Sequence, residues 1–331
     1  MQPVPEQAGA LATGPRSFAS RLLPRYAQGN VADRTYALVL GAFGLAIPVL
    51  FAFIVIRVGV AAWPAIQRFG LGFIGGTTWD PVAGQFGALP FIFGTLASSL
   101  LALLIAVPLS IGLAIFLTEL APRWLAAPIA FGTELLAAIP SVVYGLWGIF
   151  VLVPWLRSNV QQPLAGAFGD SFPLFAGPAY GTSIMAGGAI LAIMIVTFIS
   201  AVSREVLAAV PVAQREAALA LGATRWEMTW QVVIPYAVPG IIGATILGLG
   251  RALGETMAIT MVIGNRPDIP TSLFAPGYTM ASVLANEFSE ASDELHLAAL
   301  MEIGLVLFGI TILVNSVARL LVWRVARRAG K

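Results

Sequence analysis

Four stretches of this chain, 36–56, 91–118, 135–156 and 183–202, carry no charged residue. Each is long enough to cross the hydrocarbon of a bilayer as a helix, which takes about 20 residues. Two further runs of comparable length, 236–265 and 295–323, hold only Arg251 and Glu255 in the first and Glu302 and Arg319 in the second as charges. A helix bonds its own backbone N–H and C=O groups, as lipid demands. Composition agrees: the 331 residues are 58% hydrophobic and 10% charged, where a soluble domain carries about 25% charged residues. The expected fold is all-α, a polytopic membrane protein with six transmembrane helices.

The segment 1–35, rich in Pro, Gly, Ala and Arg, reads as a cytoplasmic tail and does not resemble a cleaved signal peptide; 36–331 reads as the transmembrane domain. Placing the N-terminus inside puts 13 of the 18 Lys and Arg in inner segments and 4 in outer ones, with Arg251 left inside a span. The positive-inside rule then makes both termini cytoplasmic. The inner segments include a short linker, 119–134, and a longer one, 203–235. Of the outer segments, 157–182 contains Pro163, Pro173 and Pro178, which argue against helix there.

The chain has no cysteine, so disulfides, thiolate chemistry and cysteine metal sites are excluded. The phosphate-cradling motif GxxxxGK[ST] requires a lysine, and the only lysine is the last residue, Lys331. No catalytic or metal-binding residue is expected, and any nucleotide cycle belongs to another subunit. The basic balance calls for no nucleic-acid partner, since a positive inner face accounts for it.

The inner segment 203–235 is too elaborate for a simple connection. Pro211 suits the start of a helix, where its missing N–H is no loss. Gly222 stands where a left-handed helix cap is wanted. Thr224 and Glu227 have the spacing of a capping box that starts a second helix, and Pro235 returns the chain to the membrane. The small residues Ala217 and Ala218, beside Glu216, suit close docking into a partner's groove.

Within the fifth span, a charge at the bilayer centre costs about 3 kcal/mol on insertion scales. Arg251 and Glu255 stand at i and i+4, a spacing that puts both on one helix face as a pair. Gly248, Gly250 and Gly254 thin the same helix. Arginine offers a planar fork of donors suited to an oxyanion, and a carboxylate beside it favours an anion that keeps a proton. In the third span, Pro140 loosens the helix, and Ser141 and Tyr144 follow it as candidates to line a path, with Glu134 near its inner end. His296 is expected to be an exposed helix-start residue.

These motifs resemble those of binding-protein-dependent importers of the ABC class. The family's cytoplasmic signature is Glu-Ala-Ala, three residues, Gly, nine residues, then aliphatic-x-aliphatic-Pro. Here it reads Glu216-Ala217-Ala218, Gly222, and Val232-x-Ile234-Pro235. "GRALGETMA", "ELLAAIPSVVYGLWG", "REAALALGATRWE" and "YTMASVLANEF" are similar to the PstC-type permease of the phosphate importer, over about 91–319 of the chain. The resemblance implies that 203–235 holds the coupling helix that seats in an ATPase subunit, and that Arg251, Glu255, Ser141 and Tyr144 belong to the substrate pathway. It implies four partners besides membrane lipid: a PstA-type permease, a dimer of PstB-type ATPase subunits binding ATP and Mg, and an external PstS-type phosphate-binding protein. The setting it implies is a bacterial inner membrane. Two alternatives stand beside it: a permease for another oxyanion, sulfate or molybdate, and an ion-coupled carrier acting alone. An intramembrane enzyme is a poor fit, with one histidine, no cysteine and no aspartate in a span.

Overall fold

A computed structural model describes residues 31–329, so the reading of residues 1–30 as a cytoplasmic tail lies outside the described residues. Among these, the regular structure is helical apart from one hairpin, Trp79–Asp80 against Gln85–Phe86, with Trp79 opposite Phe86. Six helical stretches are long and apolar enough to cross a membrane: Asp33–Phe69, Leu89–Leu120, Ser141–Phe168, Ile184–Ala208, Arg225–Leu253 and Glu294–Leu320. The six-span architecture expected from the apolar runs is therefore the observed one.

The described residues fall into two compact units, 31–57 and 58–329. The described part of the first is helical from Val31, so residues 31–35 are helix and not tail. Its large apolar side chains, Phe43, Leu45, Phe51 and Phe53 among them, are exposed, as befits a helix solvated by lipid.

In the second unit the fourth span is the core, with 67% of its most apolar stretch buried, against 0% to 33% in the others. It packs on the second span, which buries Ser98, Ser99, Ala102, Ala106, Ser110 and Ala114. From Ser99 onward these lie three or four residues apart on one helix face, and small side chains let two helices approach closely where lipid offers no hydrophobic drive. The Ser110 hydroxyl donates to Ala106 O at 2.6 Å and lies 3.2 Å from Val196 O across the interface. From the other side, a Cβ on Gly188 would stand 2.6 Å from Leu101 Cδ2.

Gly94, near the start of the second span, makes a tighter approach: a Cβ there would collide with the Tyr278 carbonyl oxygen. Backbone cannot yield as a side-chain tip can. Gly94→Ala is expected to destabilise the fold by about 1–3 kcal/mol or more through overpacking. The check is a lowered thermal midpoint and a reduced yield of purified protein in detergent.

Prolines explain an irregularity shared by three spans. Four π-helical turns, Phe116–Leu120, Gly148–Leu152, Arg157–Gln161 and Thr229–Val233, each end two residues before a proline. Those prolines are Pro122, Pro154, Pro163 and Pro235. In each case the residue preceding the proline donates its N–H five residues back: Ala121 to Phe116, Val153 to Gly148, Gln162 to Arg157 and Ile234 to Thr229. A proline ring collides with the carbonyl four residues earlier and cannot bond it. Widening the turn ahead of it gives the ring room, and in the last three cases the helix runs on.

That device overturns two expectations. The segment 157–182 is not all loop: helix continues through Gln162–Phe168, with Pro163 in its first turn. Pro235 does not end a helix, because Arg225–Leu253 runs through it. The apolar run 135–156 is divided instead by Ile139 and Pro140, both extended, with ψ of 131° and 140°. The residue before a proline is pushed out of the helical region, so Pro140 breaks the helix where loosening was expected. Ahead of it the 119–134 linker is helical for most of its length, in Arg123–Ala138.

His296 is not exposed. Its ring stacks on Phe86 at 5.4 Å and meets Trp79 edge-on at 6.0 Å. Its Nε2 lies 3.1 Å from Glu287 Oε2, which also accepts the Trp79 indole N–H at 2.8 Å. Nearby, burial pushes the Tyr278 phenol well above its usual pKa.

Candidate functional site

The fifth span stops short of its full apolar length. Its helix ends at Leu253, Gly254 and Thr256 make a turn, and a separate short helix, Met257–Ile263, follows. Gly264, at φ 98°, closes that helix in the left-handed region. The break falls between the two charges, so four residues of spacing no longer place them on one face.

Arg251 and Glu255 accordingly form no ion pair, correcting the expectation of one shared helix face. Glu255 instead accepts the Ala258 N–H at 3.2 Å and caps the short helix. Arg251 is exposed on the surface of this chain, its guanidinium 5.9 Å from the centre of the Phe198 ring. A cation over an aromatic face is held without being neutralised, so Arg251 keeps its full charge and its donors for another group. Of the thinning glycines, Gly248 serves packing, with Ile199 2.6 Å from where its Cβ would be, while Gly250 faces open space.

The helix carrying Ser141 and Tyr144 packs on Met257–Ile263. The contact is close, since a Cβ on Gly145 would be 3.1 Å from Ala258 Cα. The structure therefore brings Tyr144 and its helix to the short helix that follows the break, with Ser141 half-buried at the start of its own helix. The Tyr144 hydroxyl is already engaged: it donates to Leu136 O at 2.7 Å across the Pro140 break, a carbonyl that also accepts the Ile139 N–H at 3.3 Å. Tyr144 braces the break, a role that pathway-lining did not foresee. Phe198 was not foreseen either, since an aromatic in an apolar run carries no distinguishing signal.

The segment 203–235 carries the caps that its spacing predicts. A helix spans Val212–Ala220 behind Pro211, and Gly222 follows at φ 88°. Ala223 N donates to Ala218 O at 3.2 Å and Gly222 N to Leu219 O at 3.0 Å, the paired bonds of a Schellman cap. The capping box is complete: Thr224 Oγ1 accepts Glu227 N–H at 3.3 Å while the Glu227 carboxylate accepts Thr224 N–H at 2.8 Å.

Glu216, Ala217, Gly222 and Pro235 are exposed on this chain. Ala218 is not. It is buried in an apolar core with Ala114, Ile115, Leu207, Met228 and Val233. It is small because the helix sits down on the ends of the chain's own second and fourth spans, which corrects its reading as docking surface. Trp226 and Trp230, 5.3 Å apart and about half exposed, add apolar surface to the knob formed by residues 211–235.

Residues 106–330 match the family described as binding-protein-dependent transport system inner membrane component. Among curated proteins, the chain is 47% identical to the phosphate transport system permease protein PstC of Pasteurella multocida, over 87% of this chain and 91% of that one. It is 45% identical to the PstC protein of Mesorhizobium japonicum over 95% and 96%, and 48% identical to that of Haemophilus influenzae over 87% and 92%. Among solved structures, the fold is similar to a bacterial ABC transporter importing the acidic polysaccharide alginate. That likeness has a TM-score of 0.56 at 19% identity, over 88% of this chain and 98% of that one.

Proposed function

The chain belongs to the family of binding-protein-dependent transport system inner membrane components, and we propose that within it the protein is the PstC-type permease subunit of an ATP-driven inorganic phosphate importer. The observation that carries the reading is close kinship to phosphate permeases along nearly the whole chain. The broken fifth span supports it: an uncompensated guanidinium inside a membrane-spanning region suits a passing oxyanion.

The chain is a transport component and carries no motif for hydrolysing ATP. Nucleotide and Mg bind in a pair of PstB-type ATPase subunits, and the exposed knob around Glu216, Ala217 and Gly222 seats in them. A PstA-type permease completes the membrane domain, and a PstS-type protein delivers phosphate from outside. Both termini face the cytoplasm. Closure of the ATPase pair moves the knob, and the path past Arg251, Glu255, Ser141 and Tyr144 switches the side to which it opens. Glu255 accepts a hydrogen bond from a phosphate that still carries a proton, a contact that sulfate, fully ionised at neutral pH, cannot make.

The test is anion-dependent ATPase activity of the purified complex in lipid vesicles with its binding protein. Phosphate is expected to stimulate hydrolysis, whereas sulfate and molybdate leave it at the basal rate. Stimulation by sulfate and not by phosphate would overturn the substrate assignment.

A further inference from the structure

The knob is joined to the spans by one buried charge contact that the docking motif does not require. Arg215 lies in the helix Val212–Ala220, one residue before the Glu216-Ala217-Ala218 signature. Its Nη2 stands 3.1 Å from Glu119 Oε1 and donates to Leu207 O at 2.7 Å. Glu119 sits in the π-helical turn that ends the second span, and Leu207 lies in the last turn of the fourth. One guanidinium therefore ties the knob to two spans at once. The Glu119 side chain is only 5% exposed and that of Arg215 21%, so water screens the contact weakly.

The contact is also incompletely made. Glu119 Oε1 and Arg215 Nε are both buried and lack hydrogen-bond partners. An arginine and a carboxylate can form two parallel bonds, and this pair uses neither Nε nor the full capacity of Oε1. Buried polar groups left unsatisfied are costly, so a small shift of the knob that completed the fork would be favoured. Around the pair, Ala218, Leu207, Ala114 and Ile115 form one apolar core that holds the helix against the spans while it shifts.

We propose that Arg215 and Glu119 form a strut that carries displacement of the cytoplasmic knob directly to the second span, and that its under-bonded state here is one end of its travel. Both are positioning residues, since neither touches substrate or nucleotide. The proposal rests on the reading of the chain as the permease of an ATP-driven importer, and it adds the route by which motion leaves the knob.

The test uses the complete complex, with its binding protein, reconstituted in vesicles, comparing wild type with Glu119→Gln, Arg215→Ala and the exchanged pair Glu119→Arg with Arg215→Glu. Phosphate taken up per ATP hydrolysed is measured beside the amount of ATPase subunit that co-purifies. The single variants are expected to keep the ATPase bound and basal hydrolysis within about twofold of wild type, while uptake per ATP falls by about tenfold. The exchanged pair is expected to recover much of the ratio. Wild-type ratios in the single variants, or losses that only follow the amount of assembled complex, overturn the strut. A wild-type complex whose hydrolysis ignores phosphate counts instead against the importer reading, and the strut falls with it.

The chain's lack of cysteine permits a second measurement. Spin labels on Leu120→Cys with Gln214→Cys, exposed neighbours that leave both charges in place, are expected to report a distance that changes between nucleotide-free and ATP-bound complex. An unchanged distance overturns the travel.

Discussion

Replacing Arg251 with alanine is expected to abolish phosphate uptake while the complex still assembles. The Arg251 side chain forms no ion pair and no hydrogen bond among the described residues, and lies over the Phe198 ring. Removing it leaves no orphaned partner and no cavity, so stability should fall by less than about 1 kcal/mol. Its loss to transport is larger. Truncating one partner of a desolvated charge contact costs about 2–5 kcal/mol, or at least about 30-fold in affinity. Arg251→Lys keeps the charge but loses the planar fork, and intermediate uptake is expected. The measurement is uptake of labelled phosphate into vesicles, normalised to co-purified partner subunits. Wild-type uptake in Arg251→Ala would show that the residue serves only the packing of this helix.

The parts of the molecule that could be read from the sequence are those decided locally. Counting uncharged residues finds the spans because crossing a bilayer is a matter of length. Gly222 and the Thr224–Glu227 box could be placed because a cap is made by residues two to five apart. Four features resisted for physical reasons. Arg251 and Glu255 were assigned to one face by assuming an unbroken helix, and the turn at Gly254–Thr256 removes that premise. Pro163 and Pro235 looked like stops, yet whether a widened turn absorbs a proline depends on what the neighbouring helices leave room for. Ala218 suits a partner's groove or the chain's own core equally well as a side chain, and only packing separates the two. His296 is enclosed by Trp79 and Phe86, more than 200 residues earlier, and no local pattern announces such a contact.

Gly222→Val is expected to uncouple the complex, and the structure narrows why. A Cβ at this position would meet nothing within 4 Å, so crowding inside the chain is not the cause. The backbone is: at φ 88°, an L-residue pays about 1–2 kcal/mol, and a β-branched one more. Valine relieves that strain by leaving the left-handed region, which breaks the bonds Ala223 N to Ala218 O and Gly222 N to Leu219 O. The angle between Val212–Ala220 and the helix starting at Arg225 then changes, and so does the surface presented to the ATPase. The argument predicts an order. Gly222→Asn, which tolerates the left-handed region, stays near wild type; Gly222→Ala loses part of the response; Gly222→Val loses nearly all of it. The reading is the rise in ATP hydrolysis when phosphate-loaded binding protein is added, with co-purification of the sister permease showing that the membrane domain is intact. If asparagine and valine behave alike, the handedness of the elbow is not what matters, and the seat of the knob depends on its exposed face alone.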